Sequence, residues 1–203
     1  MRSTYACTVS RLILLNGAPG SGKSTLARLY AERHPLTLAL DLDLLRSMLG
    51  SWLDRPTEAG LITRSMAIEA ARVQLLARRD VIVAQYLGRI RFVLELEHLA
   101  RQTGAAFLEI ALLSDAEDLA ARFYRRSAQP ETATHLDAAQ LQDRSGGEAA
   151  LHQMSERLLD VLVHRPRTLR IESVDGQVEA AYSALVAAID ATVAPAGERW
   201  SPP

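Results

Sequence analysis

Lysine is almost missing from this 203-residue chain: of 23 basic residues one, Lys23, is lysine and the other 22 are arginine. A background that replaces lysine nearly everywhere keeps one where an ammonium on a flexible stem suits the chemistry better than a planar guanidinium. Cysteine is as scarce. Cys7 stands alone, so no internal disulfide staples the fold. No apolar run exceeds strand length and no signal-like segment opens the chain, which reads as a soluble, cytoplasmic protein without a membrane partner. Charge of one sign is also lacking. With 24 acidic against 23 basic residues, no global field favours nucleic acid or an anionic membrane, although a local basic face stays open. The five histidines are scattered, and neither His98 nor His135 has metal-ligand spacing. No internal repeat is visible.

What is present is an alternation of apolar, strand-sized runs with amphipathic stretches, the pattern of a parallel sheet covered on both faces. At this length, with 48% apolar content, one domain is expected over 1–203, with its core over about 11–192. Strands are expected at 11–17, 36–42, 81–87, 106–113 and 168–173. Helices are expected at 22–34, 44–49, from about 57, at 90–102, from about 115, at 148–163 and at 177–192. The long helix from 57 carries an apolar stripe of Ile62, Met66, Ala70, Val73 and Ala77. Gly50 reads as a helix C-terminal cap, and Ser114 with Glu117 as a capping box. Residues 127–147 lack periodicity and suit a small mobile lid, and 194–203 a loose tail. The class is α/β, a doubly wound five-stranded parallel sheet.

One segment carries chemistry on its face. GAPGSGKS, residues 17–24, fits G-x-x-x-x-G-K-[ST] between a strand and a helix. The loop from Gly17 through Ala18, Pro19, Gly20, Ser21 and Gly22 to Lys23, Ser24 and Thr25 would cradle phosphates with its backbone N–H groups and the helix dipole. Lys23 would reach the β and γ phosphates, and Ser24 would ligate Mg²⁺, so ATP and Mg²⁺ are the expected cofactors. LDLDLLR, residues 40–46, then places Asp41 and Asp43 at a strand end, where ligands sit in doubly wound sheets. Asp43 shares a helix face with Arg46; it reads as a helix cap, as a proton acceptor, or as both.

A P-loop followed about twenty residues later by D-x-D-x-x-R resembles the zeta toxin, chloramphenicol phosphotransferase and polynucleotide kinase group of P-loop kinases. The resemblance implies the strand order 2-3-1-4-5. It implies Asp43 as general base, Arg46 as a substrate contact and Asp41 near Mg²⁺. Arg122 and Arg126 match the group's R-x-x-x-R on the helix after the fourth strand and its lid, where arginines brace the transferred phosphate; a solvated helix face explains them equally simply. VDG, residues 174–176, resembles the turn that packs by adenine in nucleoside monophosphate kinases. One departure stands out: the third strand carries Gln85 where many P-loop enzymes carry an acid. Gln85, Tyr86 and Arg89 are then free to bind the acceptor, or Gln85 serves only the backbone. Trp52 lines the acceptor pocket or simply packs.

The expected activity is transfer of the γ-phosphoryl group of ATP to a hydroxyl of a small molecule such as a nucleoside, sugar or antibiotic. The rivals are a polynucleotide or RNA end kinase, and an ATP-binding regulatory or resistance module without catalysis.

Overall fold

Five parallel strands form one sheet in the order β2-β3-β1-β4-β5 in a computed structural model that describes residues 9–128 and 146–192. The strands are β1 (Arg11–Gly17), β2 (Leu38–Asp41), β3 (Val81–Ala84), β4 (Ala106–Leu113) and β5 (Leu169–Glu172). Seven α-helices lie among the described residues: α1 (Lys23–Arg33), α2 (Leu42–Ser47), α3 (Pro56–Leu76), α4 (Ile90–Thr103), α5 (Ala116–Ala128), α6 (Gly147–Val163) and α7 (Val178–Ala191). Most of the expected lid and all of the expected tail, with Cys7 and His135, lie outside the described residues; 127–128 and 147 at the lid's edges belong to α5 and α6.

The central position of β1 follows from its sequence. RLILLNG is apolar at successive positions, so both of its faces need cover. Leu12 and Leu14 pack against Ala67, Ala71 and Leu75 of α3 and Phe92, Val93 and Leu96 of α4. Ile13 and Leu15 face the opposite way, against Leu26, Ala27 and Tyr30 of α1 and Tyr182, Leu185 and Ile189 of α7. Alternation along one strand therefore builds both helical layers. Helices α5 and α6 join through Ala120, Phe123 and Leu151, and α6 reaches the sheet through Leu158 and Leu162 on Ala111. Behind it Arg165 bridges Glu109 at 2.7 Å and Glu97 at 3.1 Å, which pairs the buried acid of β4.

Three local expectations change. The buried stripe of α3 is Ala59, Thr63, Ala67, Ala71 and Leu75, whereas Ile62, Met66 and Val73 are exposed. Small side chains let α3 lie close on the sheet, and hydropathy ranks alanine too low to reveal that face. Asp41, not Asp43, caps α2: its Oδ1 accepts from the N–H of Asp43 at 2.9 Å and of Leu44 at 3.4 Å. The helix thus starts immediately after β2 and ends at Ser47 before Gly50, with Met48 as its cap. The Ser114 hydroxyl is directed away from its helix, onto the Ser173 carbonyl and the Arg122 guanidinium.

Candidate active site

The carboxyl ends of the strands open onto a cleft of about 1580 Å³ that takes in the P-loop, Asp43, Arg46, Gln85, Arg89, Arg122 and Arg126. Its floor is the turn from β1 into α1. Gly17 has no room for a side chain, since a Cβ there would run into the Ser21 hydroxyl and come within 3.0 Å of the Leu112 carbonyl. Gly20 holds φ 87° and lies so close to the Leu119 carbonyl that α5 rests on the loop. The first N–H groups of α1 have no partner within the helix and border the cleft beside Lys23, Ser24 and Thr25. Lys23 donates to the Ala18 carbonyl at 2.9 Å. Its burial, aided by the charge of Arg126, pulls its pKa down to about 8 against the opposing pull of Asp43 and Asp41.

A buried amide ties the loop to the next strand. Asn16 Oδ1 accepts from the N–H of Gly17 at 2.9 Å and of Leu87 at 2.8 Å, and Asn16 Nδ2 donates to the Leu87 carbonyl at 3.2 Å. This explains why β3 ends at Ala84 rather than at residue 87. From Leu87 the chain bonds to a side chain in place of the ladder, and the segment carrying Gln85, Tyr86 and Arg89 turns into the cleft. Gln85 is held at its backbone by the Leu15 carbonyl at 3.2 Å, and its side-chain amide approaches the Tyr86 carbonyl at 3.4 Å.

Asp43, also in the lining of the cleft, accepts a 2.6 Å hydrogen bond from Arg46 through Oδ1. Burial pushes its carboxyl above the ordinary carboxylate value; Asp41 adds to that, while Arg46, Lys23 and Arg126 oppose it. Arg46 is set in turn by Trp52, which is buried and lies under the guanidinium with its ring 4.7 Å away. Trp52 therefore packs, and by packing aims Arg46. Asp41 spends Oδ1 on the α2 cap.

The arginines of α5 divide. Arg122 is fully engaged: it donates to the Ser173 hydroxyl at 3.2 Å and carbonyl at 3.1 Å, to Ser114, and to the Asp118 carbonyl at 3.3 Å. Ser173 passes this on by donating to the Ser21 carbonyl of the P-loop at 2.9 Å. Arg125 is paired with Asp175 in the V-D-G turn, 2.9 and 2.8 Å to its two oxygens. Arg126 has no carboxylate partner among the described residues; its Nε is buried without a hydrogen bond, and burial lowers its pKa against the pull of Asp43 and Asp41. Lys23, Asp43 and Arg126 thus form one electrostatically coupled group.

The cleft is strongly cationic. Ten basic side chains line it against three carboxylates, in a protein whose net charge is −1. Sequence reasoning missed Arg64 and Arg157 in this ring, because each sits in an amphipathic helix where an arginine reads as solvated surface. It also missed Asn16 and Ser173, whose value lies in partners distant in sequence. No group of three or more His, Cys, Asp or Glu side chains that could hold a metal occurs among the described residues. None of their helices is long and apolar enough to cross a membrane.

The AAA domain family model matches residues 12–146, about two thirds of the chain. No curated protein matches it. Among solved structures, the Pnkp1/Rnl/Hen1 RNA repair complex is similar at TM-score 0.59 and 20% identity, over 78% of this chain and 47% of that one. The chain therefore spans less than half of that relative. A gluconokinase from Sinorhizobium meliloti 1021 gives 0.56 and 17%, over 92% and 99% of the two chains. The Deinococcus radiodurans tunicamycin resistance protein gives 0.55 and 11%, over 96% and 100%. At these identities the likeness is one of fold.

Proposed function

This chain belongs to the AAA domain family, and from that premise we propose that it is a P-loop kinase that transfers the γ-phosphoryl group of ATP to a hydroxyl of a small molecule. The observation that supports this reading is that Lys23, Asp43 and Arg126 line one cleft and lie close enough to act on one another through charge.

In the proposed reaction the P-loop N–H groups and Lys23 hold the β and γ phosphates, while the acceptor hydroxyl lies between Asp43 and the γ-phosphorus. The acceptor oxygen bonds to phosphorus as the bond to the β–γ bridging oxygen breaks, and the hydroxyl proton goes to Asp43. ADP leaves. Asp43 Oδ1 is held by Arg46, which leaves Oδ2 open for that proton. Arg126, lacking a carboxylate partner, is the side chain free to meet charge developing on the transferred group. Arg122 acts through position, fixing α5, β5 and the P-loop against one another. A bound Mg²⁺ would neutralise the β and γ oxygens. The donor set fits it in part, since this hard cation takes one or two protein oxygens plus phosphates and water: the Ser24 hydroxyl lines the cleft and would supply one, whereas Asp41 is not among the lining residues and its Oδ1 is spent on the α2 cap.

Incubation with ATP, Mg²⁺ and a panel of sugars, nucleosides, aminoglycosides and 5′-hydroxyl oligonucleotides, read by mass gain of one phosphoryl group, tests the reading. Asp43→Asn is expected to lower kcat by about 10²- to 10⁴-fold with ATP affinity nearly unchanged. Normal turnover by that variant would remove Asp43 as base. The cationic cleft favours a second reading, a polynucleotide or RNA end kinase, for which the oligonucleotide is the productive acceptor. A non-catalytic ATP-binding module would phosphorylate nothing in the panel.

A further inference from the structure

Most cations of the cleft are already spoken for. Arg46 pairs with Asp43, Arg91 with Glu95, Arg125 with Asp175, and Arg122 with Ser114 and Ser173. Arg89 and Arg157 make no ion pair or hydrogen bond among the described residues, yet both line the cleft. They come from different elements and meet at Tyr86. The Tyr86 ring packs on the Leu158 and Leu162 cluster, which puts it against the α6 segment that carries Arg157. Its hydroxyl folds back over Gly88, where any side chain would strike the phenol, and Arg89 is the next residue. Arg89 also occupies the N-cap of α4 without capping it, and the first turn of α4 holds no acid. Two uncommitted guanidinium groups, a phenolic O–H and an uncompensated helix start therefore converge on one part of the cleft.

We propose that Tyr86, Arg89 and Arg157 form an oxyanion subsite, so that the acceptor is an alcohol already carrying a phosphate or carboxylate group. Forked N–H donors and one O–H match the oxygens of such a group. Both arginines also act on the Tyr86 phenol through charge, consistent with their closeness to it. This inference names the substrate class of the kinase reading and rests on it for the word acceptor, but the subsite itself is detectable without turnover.

The test fills the P-loop first, with a non-hydrolysable ATP analogue and Mg²⁺, and then titrates inorganic phosphate by calorimetry. One further phosphate site is expected. Arg89→Gln and Arg157→Gln should each weaken it at least tenfold and Tyr86→Phe less, with thermal midpoints unchanged because both arginines are exposed. Absence of phosphate binding to the filled enzyme, or equal binding by the two glutamine variants, overturns the proposal. Acetate in place of phosphate separates a carboxylate-bearing acceptor from a phosphate-bearing one. In turnover, a hexose phosphate or sugar acid should exceed the neutral hexose in kcat/KM at least tenfold, and the advantage should vanish in Arg89→Gln. If phosphate binds as described but no acceptor is phosphorylated, the kinase reading fails and the subsite stands. If a neutral alcohol is phosphorylated and phosphate does not bind, the reverse holds.

Discussion

At the residue scale the lone lysine is the most informative side chain, because its burial makes its protonation a reporter of the site. With its pKa near 8 rather than 10.5, the folded apo protein sheds this proton before the unfolded chain does. Between those values the unfolded state binds more protons, so stability rises with pH there, and below 8 the charged amine costs its full burial penalty. Lys23→Met is therefore expected to be more stable than the wild type at pH 7 in the absence of nucleotide, with the difference shrinking from pH 8 to 10 in denaturant titrations. The triphosphate should restore the charge. Calorimetry of ATP binding at pH 9, repeated in buffers of different ionisation enthalpy, should show proton uptake that is missing in the methionine variant and at pH 7. Zero uptake at pH 9 would mean that Lys23 does not meet the phosphates. Asp43 has the opposite sense for a carboxyl: its raised pKa in the free protein means the acid limb of kcat/KM lies above the ordinary carboxylate range, with activity falling as pH drops through it.

At the scale of elements, the sequence is legible where a pattern is strong and local. β1 and β4 have the limits their apolar runs imply, and the loop between β1 and α1 lies where its motif places it. The strand order follows from the resemblance that the P-loop and D-x-D-x-x-R carry. The sequence is illegible where a distant partner decides. Nothing near residue 87 says that Asn16 will take its N–H, so the end of β3 is hidden. In α3 several larger hydrophobics point outward because the middle of its buried stripe, Ala67 and Ala71, meets the sheet through alanine-sized contacts, and this can be tested by packing. Ala71→Leu, at a position with no exposure, is expected to cost about 1–3 kcal/mol by overpacking, whereas Val73→Ala should stay within about 0.5 kcal/mol. Equal effects in urea titrations would mean that α3 is rotated from the position described. The same distinction applies in the site. Asp43 and Arg46 are visible as neighbours on one turn, but Arg157 becomes part of the cleft only because α6 folds over Tyr86.

For the whole molecule, near-neutral charge conceals a strong separation: ten basic groups face the cleft against three acids, while the total is −1. Composition alone therefore favours no anionic partner and leaves a local basic face open, and the spatial distribution supplies that face. A concave wall of like charge focuses its field and attracts polyphosphate from solution, an effect that salt screens over a Debye length of about 8 Å at physiological strength. Raising KCl from about 0.05 to 0.5 M is expected to lower kcat/KM for ATP about three- to tenfold. The slope for the acceptor then discriminates between the two catalytic readings. A small acceptor with a single anionic group engages one subsite and gives a shallow dependence. An oligonucleotide end lying along Arg64, Arg89 and Arg157 would add about 0.7 to the negative slope of log(kcat/KM) against log salt for each phosphate neutralised. Arg64→Gln, which removes a cleft cation outside the Tyr86, Arg89 and Arg157 set, should flatten the slope only for the oligonucleotide. A kcat/KM independent of salt for every substrate would show that the cleft arginines are neutralised in solution, and would remove the electrostatic basis for an anionic acceptor of any size.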